Sequence, residues 1–162
     1  MTGCRTGLGI DFHRFAAGRP LVIGGVTIDH PRGLLGHSDA DVLTHAICDA
    51  LLGAAGLGDI GTHFPDTDER YRGISSLALL GEVISFLSRD HWHPINVDAT
   101  LIAQEPKLIP YFQAMKEALG EILHLPPQSI GLKATTSEGM GAIGRAEGIS
   151  AFCVALIERV TQ

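Results

Sequence analysis

The chain has 162 residues, of which 45% are hydrophobic and 19% charged, a composition that excludes a disordered chain and predicts one globular domain over residues 1–162. Its formal net charge of -6 argues against nucleic acid or an anionic membrane as a partner, because such surfaces are bound by an excess of Lys and Arg. No apolar run reaches the roughly 20 residues that cross a bilayer, and residues 1–5 resemble neither a signal nor a transit peptide, so we expect a cytoplasmic protein.

The first half of the chain predicts two strands and one helix. Alternating apolar residues indicate a strand over 5–15, on which Asp11 and His13 share one face. Ser38 is a favourable N-cap and predicts a helix that ends near Ala55. The remaining segments are predicted as a strand over 20–28 with a Gly-Gly break and a loop over 32–36.

The second half predicts two more helices and three more strands. Ser75 or Ser76 caps a helix that runs to about Arg89, and Pro106 opens another that runs to about Leu123. Strands are predicted over 95–103, 130–136 and 149–160, with a Gly-rich turn over 139–148 before the last one.

The final strand is apolar on both faces, since Ile149 and Cys153 alternate with Phe152 and Val154. A strand of this kind is covered on both sides. Three helices can cover one face, so we expect a second subunit to cover the other; a strand that is central in a monomer is the alternative.

Asp11 and His13 place a carboxylate and an imidazole on one strand face, and one Asp with two or three His is a common ligand set for zinc. His45 is the candidate third ligand, with Asp41 and Asp49 one helical turn to either side. Asp49 is suited to accept a hydrogen bond from the His45 ring and so to fix its tautomer. From spacing alone, an ordinary surface Asp/His pair is the alternative.

Three further segments carry groups that suit an anionic substrate. His37 and Ser38 lie at a predicted helix N-terminus, where backbone N–H groups bind anions, although capping alone explains Ser38. The hydroxyls at the end of the strand over 130–136 could bind phosphate, and Glu138 could bind a divalent cation. The alternative is a solvated strand end. The carboxylates over 64–68 could bind substrate hydroxyls or form an ordinary acidic turn. No P-loop or Rossmann glycine motif is present.

These segments occur together and in a characteristic order. They are Asp11-Phe12-His13-Arg14, Gly36-His37-Ser38-Asp39-Ala40-Asp41 with His45, Asp59-Ile60-Gly61 with Phe64-Pro65-Asp66-Thr67-Asp68, Ala103-Gln104 with Pro106-Lys107, Lys133-Ala134-Thr135-Thr136 with Glu138, and Gly144-Arg145 with Glu147-Gly148-Ile149. From about Arg5 to the last strand, the chain resembles the 2-C-methyl-D-erythritol 2,4-cyclodiphosphate synthase family of non-mevalonate isoprenoid biosynthesis. The resemblance favours a metal site over a surface pair at Asp11 and His13.

The resemblance implies an α+β fold, a two-layer α/β sandwich with a mixed sheet and three helices on one face. It also implies a homotrimer whose sheets face the threefold axis and whose active sites lie at the subunit interfaces. An anionic isoprenoid-type ligand on that axis, beside Arg145, is a further implication. Family members often carry Phe on the axis where this chain has Ala142.

The implied activity is a lyase reaction, an intramolecular phosphoryl transfer. It converts 4-diphosphocytidyl-2-C-methyl-D-erythritol 2-phosphate to 2-C-methyl-D-erythritol 2,4-cyclodiphosphate and cytidine monophosphate. By the resemblance, Asp11, His13 and His45 bind zinc, and Glu138 helps to hold a second divalent cation, magnesium or manganese. His37 and Thr136 take the catalytic positions that stabilise the transition state.

The resemblance also assigns the substrate contacts. The metal ligands Asp11 and His13 and the catalytic His37 are among them, with Ser38 in the phosphate-binding turn. The other contacts are Asp59, Ile60, Gly61, Phe64, Pro65, Asp66, Thr67 and Asp68 for the methylerythritol part, Ala103, Gln104, Pro106, Lys107, Leu108 and Ile109 for cytosine and ribose, Thr135, Thr136, Ser137 and Glu138 for the diphosphate, and Arg145 in the Gly-rich turn.

Two other functions remain open from the residues. The same ligands could serve a zinc-dependent phosphohydrolase, which would use an activated water and release a linear product. A catalytically silent trimer that binds isoprenoid phosphates is the second alternative.

Overall fold

A five-stranded sheet and a small hairpin form the β structure of residues 3–160, the part of the chain that this computed structural model describes. The strands are β1 (Cys4–Ala17), β2 (Leu21–Ile23), β3 (Val26–Ile28), β4 (Arg32–Leu34), β5 (Trp92–Ile102), β6 (Ile130–Thr135) and β7 (Gly148–Arg159). The helices are α1 (Val42–Ala55), α2 (Ile60–His63), α3 (Ser76–Arg89), α4 (Phe112–Leu123) and α5 (Gly141–Gly144). Within these residues, no helix has the length and apolar character that a membrane span requires.

The sheet has the strand order β4-β1-β7-β5-β6. The pair β5 and β6 is parallel, whereas the other neighbours are antiparallel. The strands and helices are therefore those of an α+β fold with a mixed sheet, as predicted, and β7 lies in the centre of the sheet.

The helices pack on one face of the sheet because its side chains there are small or apolar. Helix α1 lies across β1 and β7, and at Gly7 the approach is so close that a Cβ atom would stand 2.0 Å from the Ala50 carbonyl oxygen. Helix α3 packs on α1 and β5, and α4 packs on α3 and β6. This packing brings the side chains of β1 that face the helices next to the first turn of α1.

The opposite face of the sheet is apolar and is not covered by the helices of the same chain. Leu8 and Phe12 of β1 are 60% and 61% exposed, and Ile10 and Val154 are also exposed. The residues of β7 that alternate with these, such as Ala151 and Ala155, are fully buried beneath the helices. One chain therefore covers one face of its central strand and leaves the other to solvent.

The segment between β1 and α1 differs from its prediction. The strand predicted over 20–28 is a hairpin of β2 and β3, because Gly24 and Gly25 take positive φ angles of 59° and 74° that reverse the chain. The loop predicted over 32–36 contains β4, which pairs with the end of β1.

Two predicted helix starts were also wrong. Asp41, not Ser38, is the N-cap of α1, since the Asp41 carboxylate accepts a hydrogen bond from the Thr44 backbone N–H. Helix α4 begins at Phe112, and residues 109–111 before it form a 3-10 turn. Pro110 in this turn explains the later start, because a proline in a helix interior removes a hydrogen bond and clashes with the preceding turn.

Candidate metal centre and active site

Asp11, His13 and His45 meet at one point between β1 and α1. The His13 Nε2 atom lies 2.9 Å from Asp11 Oδ2 and 3.2 Å from His45 Nδ1, and His45 Nδ1 lies 3.1 Å from Asp11 Oδ2. In a tetrahedral zinc site with bonds of about 2.0–2.1 Å, neighbouring donor atoms lie about 3.3–3.4 Å apart. The three side chains therefore suit three corners of such a site, and His13 and His45 border a cavity on the remaining side.

The orientation of His13 supports the same assignment. Its Nδ1 lies 2.6 Å from the Leu35 carbonyl oxygen, which can only accept, so Nδ1 carries the proton. In the neutral ring Nε2 then has a free lone pair, and this atom faces Asp11 and His45. A carboxylate oxygen and an imidazole lone pair this close together require a cation or a proton between them.

The electrostatics of the site express this requirement. Burial alone would raise the pKa of the Asp11 carboxyl, but the His13 and His45 rings beside it outweigh burial and hold that pKa well below its usual range. Burial alone would lower the pKa of His13, but the hydrogen bond and charge of Asp11 outweigh it and raise that pKa. The site thus favours a carboxylate with positive charge beside it.

A cavity of about 460 Å³ opens beside these three side chains. His13 and His45 line one part of it, and His37 and Ser38 lie next to them. The His37 Nε2 atom is 3.0 Å from the Asp68 carbonyl oxygen, so the His37 ring is hydrogen-bonded to the loop over 64–68. From the segments assigned to the methylerythritol part, the lining residues are Ile60, Gly61, Phe64, Pro65 and Asp66.

Asp59 and Asp68 from the same segments are engaged elsewhere. The Asp59 carboxylate caps α2 by accepting from the Thr62 backbone N–H at 2.8 Å. The Asp68 carboxylate pairs with Arg70 at 2.6 Å. These bonds lower the pKa of both carboxyls, through Thr62 for Asp59 and through Arg70 for Asp68. Thr67 lies in the turn between them and does not line the cavity as it stands in a single chain.

A second cavity of about 360 Å³ lies at the ends of β5 and β6. It is lined by all the residues that the resemblance assigns to cytosine and ribose, and by the first two residues assigned to the diphosphate. Its lining consists of Ala103, Gln104, Pro106, Lys107, Leu108, Ile109, Ala134, Thr135 and Thr136. Beyond it, the Thr136 hydroxyl donates to the Glu138 carboxylate at 3.0 Å, and the Ser137 hydroxyl donates to the Met140 carbonyl oxygen at 2.8 Å.

The two cavities are separated by the width of the sheet. His13 on β1 is paired with Ile149 on β7, while Ser150 on β7 is paired with Ile102 on β5 and Ile102 with Thr135 on β6. Three strand spacings of about 4.8 Å correspond to roughly 14 Å. A single chain therefore does not bring Thr136 and Glu138 beside Asp11, His13 and His45.

The predicted contact between Asp49 and His45 is replaced by other hydrogen bonds. The Asp49 carboxylate accepts from the Ile60 backbone N–H at 2.7 Å, at the start of α2, and burial raises its pKa. The outer nitrogen of His45, Nε2, lies 2.9 Å from the Ser76 hydroxyl and 3.2 Å from the Ser38 hydroxyl. Ser76 could not be placed here from the sequence, because a Ser-Ser pair before an apolar run indicates only a helix start.

Asp41 is likewise not part of the metal centre. It is fully buried, and its two carboxylate oxygens accept from the backbone N–H groups of Gly24 and Gly25 at 2.8 and 2.7 Å. This carboxylate therefore fixes the hairpin of β2 and β3 to the start of α1. Burial raises its pKa in spite of these donors.

Arg145 lies in the Gly-rich turn and is paired with Glu147 at 2.6 Å. It lines neither of the two larger cavities. A smaller cavity of about 180 Å³ nearby is lined by Phe12, Ala142 and Glu147 among others. The guanidinium is thus neutralised by a carboxylate of its own chain.

Comparison with known proteins places this geometry in a family. The YgbB family matches residues 4–158. The 2-C-methyl-D-erythritol 2,4-cyclodiphosphate synthase of Syntrophomonas wolfei is 57% identical over 155 residues, which are 96% of this chain and 99% of that protein.

Solved structures agree with this match. The bifunctional IspDF from Campylobacter jejuni is 41% identical with a TM-score of 0.95, over 99% of this chain and 43% of that one, so this chain spans less than half of the bifunctional protein. A CDP complex of IspF from Plasmodium falciparum is 31% identical with a TM-score of 0.86, over 98% of each chain. The family resemblance of the sequence is confirmed, and the chain belongs to the YgbB family, that of the 2-C-methyl-D-erythritol 2,4-cyclodiphosphate synthases.

Proposed function

We propose that the chain cyclises 4-diphosphocytidyl-2-C-methyl-D-erythritol 2-phosphate to 2-C-methyl-D-erythritol 2,4-cyclodiphosphate and cytidine monophosphate. An oxygen of the 2-phosphate forms a bond to the β-phosphorus, and the bond from that phosphorus to the bridging oxygen breaks, so the bridging oxygen leaves with cytidine monophosphate. One observation carries the proposal: Asp11, His13 and His45 converge beside a cavity in a chain that is 57% identical to a synthase of this name.

The chemistry needs little help from a general base. A phosphate monoester carries a charge of about -1.5 to -2 near neutral pH and is already a nucleophile. The obstacle is the electrostatic repulsion between two phosphate groups that must approach each other. In our proposal, the site overcomes this repulsion by positioning the groups and by placing positive charge beside them. When bound at Asp11, His13 and His45, a divalent cation, in our proposal zinc, supplies positive charge and polarises a phosphoryl oxygen. In the same proposal, Glu138 helps to hold magnesium or manganese on the diphosphate.

The residues around the first cavity orient the sugar phosphate. His37 and Ser38 stand beside the metal ligands, where an imidazole and a hydroxyl can donate to phosphate oxygens. Asp66 and the backbone of Gly61 form the wall in which we place the methylerythritol hydroxyls. Such contacts lower the barrier by holding the reacting phosphate in line.

The second cavity suits the nucleotide. Its wall over 103–109 combines apolar side chains with backbone groups, and Thr135 and Thr136 add hydroxyls at one end. The structural relative from Plasmodium falciparum is a CDP complex. We infer that cytosine and ribose occupy this cavity, with the diphosphate on the hydroxyl side next to Thr136.

We also propose that the two cavities work together across a subunit interface. About three strand spacings, roughly 14 Å, separate His13 from Thr135 within one chain, too far for one diphosphate to contact both. The exposed apolar face with Leu8 and Phe12 supplies the surface on which copies can associate. A homotrimer with its sheets facing the threefold axis satisfies both observations.

An anionic isoprenoid-type ligand on that axis has less support. Arg145 is the basic side chain that resemblance assigns to it, and this guanidinium is already paired with Glu147. Ala142, at a position where relatives often have Phe, leaves room there but offers no charge.

The test is product analysis with the synthetic substrate, zinc and magnesium. We expect cyclic diphosphate and cytidine monophosphate in equal amounts from the wild type. His45→Ala should abolish turnover, because one metal ligand is lost, while His93→Ala, an exposed histidine on β5, should not. A linear product that incorporates oxygen from labelled water would establish the phosphohydrolase instead. Zinc binding without turnover would establish the silent binding protein.

A further inference from the structure

The side chains of Asp39, Ser76 and His45 form a continuous chain of hydrogen bonds that ends at the metal centre. Ser76 is the first residue of α3 and is fully buried. Its hydroxyl hydrogen-bonds the Asp39 carboxylate and lies 2.9 Å from His45 Nε2, and its backbone N–H donates to the other Asp39 oxygen at 2.9 Å. The sequence of α3 alone indicates none of these contacts.

We propose that Ser76 and Asp39 are positioning residues, which hold His45 in the tautomer whose unprotonated Nδ1 faces the metal. The inference rests on the proposed metal site and deepens it. Neither residue lines the cavity beside the metal ligands, so in this chain they act through His45 and not on substrate.

The direction of each hydrogen bond follows from counting protons. The Asp39 carboxylate can only accept, and the Ser76 hydroxyl has one hydrogen to donate. That hydrogen goes to Asp39, so the Ser76 oxygen can only accept from His45. His45 Nε2 must then carry the N–H.

The consequence appears at the other ring nitrogen. A neutral imidazole has one N–H, so His45 Nδ1 keeps its lone pair. This atom lies 3.1 Å from Asp11 Oδ2 and 3.2 Å from His13 Nε2, at the point where a cation fits. The opposite tautomer would place a hydrogen at this point and would block it for a metal ion.

Ser38 is compatible with this assignment but cannot replace Ser76. Its hydroxyl oxygen accepts from the Ala40 backbone N–H at 3.1 Å and lies 3.2 Å from His45 Nε2, farther than the Ser76 oxygen. It also lines the cavity, where substrate phosphate would compete for it. Ser76 does not line that cavity, so substrate there does not compete for its hydroxyl.

The experiment compares Ser76→Ala with Ser75→Ala. Ser75 is the adjacent exposed N-cap, its side chain makes no capping hydrogen bond, and it therefore controls for the loss of a hydroxyl at this helix start. Zinc affinity is measured on the zinc-loaded protein by competition with a chromophoric chelator. We expect Ser76→Ala to weaken zinc binding about 10–100-fold, the usual effect of removing a partner of a metal-bound histidine, and Ser75→Ala to leave it unchanged. Equal zinc affinity in Ser76→Ala and the wild type would overturn the inference.

A second measurement needs no variant and covers the case in which Ser76→Ala does not fold. Nitrogen-15 NMR of histidine-labelled, metal-free wild type reports the tautomer of His45 when the ring is neutral. We expect the Nε2–H form, and an Nδ1–H form would overturn the inference. Neither readout uses turnover. A wild type that binds zinc through an Nε2–H His45 but forms no cyclic product would refute the proposed function and leave this inference standing.

Discussion

Gly9 of β1 lies directly against Ala46 of α1, so close that a Cβ atom on Gly9 would stand 1.9 Å from the Ala46 carbonyl oxygen. The contact involves helix backbone, which cannot rotate away as a flexible side chain can. Gly9 is two residues before Asp11 in β1, and Ala46 is one residue after His45 in α1. The close packing of strand on helix thus sets the distance between two of the three metal ligands.

We therefore expect Gly9→Ala to damage both stability and metal binding. The added methyl group must push α1 from β1, and overpacking of this kind costs about 1–3 kcal/mol of unfolding free energy, occasionally more. Chemical denaturation and zinc competition measure the two effects. The matched control is Gly53→Ala on the exposed side of α1, where a Cβ meets nothing within 4 Å and helix propensity gains up to about 1 kcal/mol. A Gly9→Ala protein as stable as the wild type would contradict the expectation.

The metal triad could be predicted because two of its members lie on one strand. Asp11 and His13 are two residues apart, and strand periodicity alone places them on one face. His45 is 32 residues further along the chain; the residues around it made it a candidate, and the family resemblance assigned it as the third ligand. Most of the strands and helices were likewise foreseeable from residue periodicity, whereas the mixed sheet was expected from the family resemblance.

What the sequence did not reveal depends on contacts between distant segments. Asp41 and Asp49 share a helix side with His45 by spacing, yet their carboxylates go to the Gly24 and Ile60 backbone N–H groups. Those donors come from a hairpin and a turn whose positions depend on the folded chain. Ser76 escaped prediction for the same reason, since its partner His45 is 31 residues away.

His37→Ala should lower kcat more than it raises KM. The His37 ring lies beside the metal ligands at the first cavity, where its hydrogen bond to phosphate would strengthen as charge shifts in the transition state. Steady-state kinetics with the cyclisation substrate measures the split. His93→Ala serves again as the control on an exposed histidine. An effect confined to KM would show that His37 only binds substrate.

The metal-free protein should show a bell-shaped stabilisation from Asp11 and His13. The pKa of Asp11 is lowered, so its contribution is present above its usual value near pH 4 and is lost as pH falls below it. The pKa of His13 is raised, so its contribution is present below its usual 6.5 and is lost as pH rises through the raised value. The contribution is therefore largest between about pH 4 and 6.5.

The comparison that reveals it is wild type against Asp11→Asn, both without metal. We expect the difference in unfolding free energy to peak in that interval and to shrink on either side. Asp29→Asn, at an exposed position, should show no such peak. A difference that does not change with pH would contradict the pairing of Asp11 with His13.

Glu105 should tune nucleotide binding without touching the nucleotide. Its carboxylate accepts from Arg32 of β4 at 2.9 Å, and Arg32 also donates to the Ala146 carbonyl oxygen, so the wall over 103–109 is tied to another part of the fold. The pair is partly exposed and contributes about 0.2–1 kcal/mol, which corresponds to a loss of CDP affinity of up to about fivefold in Glu105→Ala. Calorimetry with CDP measures it. The control is Glu117→Ala, at an exposed position of α4. Equal CDP affinity in both variants would show that the ion pair of Glu105 with Arg32 does not affect nucleotide binding.

Leu8→Glu should prevent association of the subunits. Leu8 is 60% exposed in one chain and faces Val154 across β1 and β7, in the middle of the uncovered apolar face. In the proposed trimer this face is buried, and a carboxylate without a partner there costs several kcal/mol at each subunit. Analytical ultracentrifugation should therefore find three copies for the wild type and one for the variant, with the fold retained by circular dichroism. Because the two cavities would then lie on separate molecules, turnover should be lost together with the trimer.

The control is Ala78→Glu, on the exposed side of α3, which should change neither the mass of the assembly nor turnover. A Leu8→Glu protein that remains trimeric would show that the subunits associate through another surface.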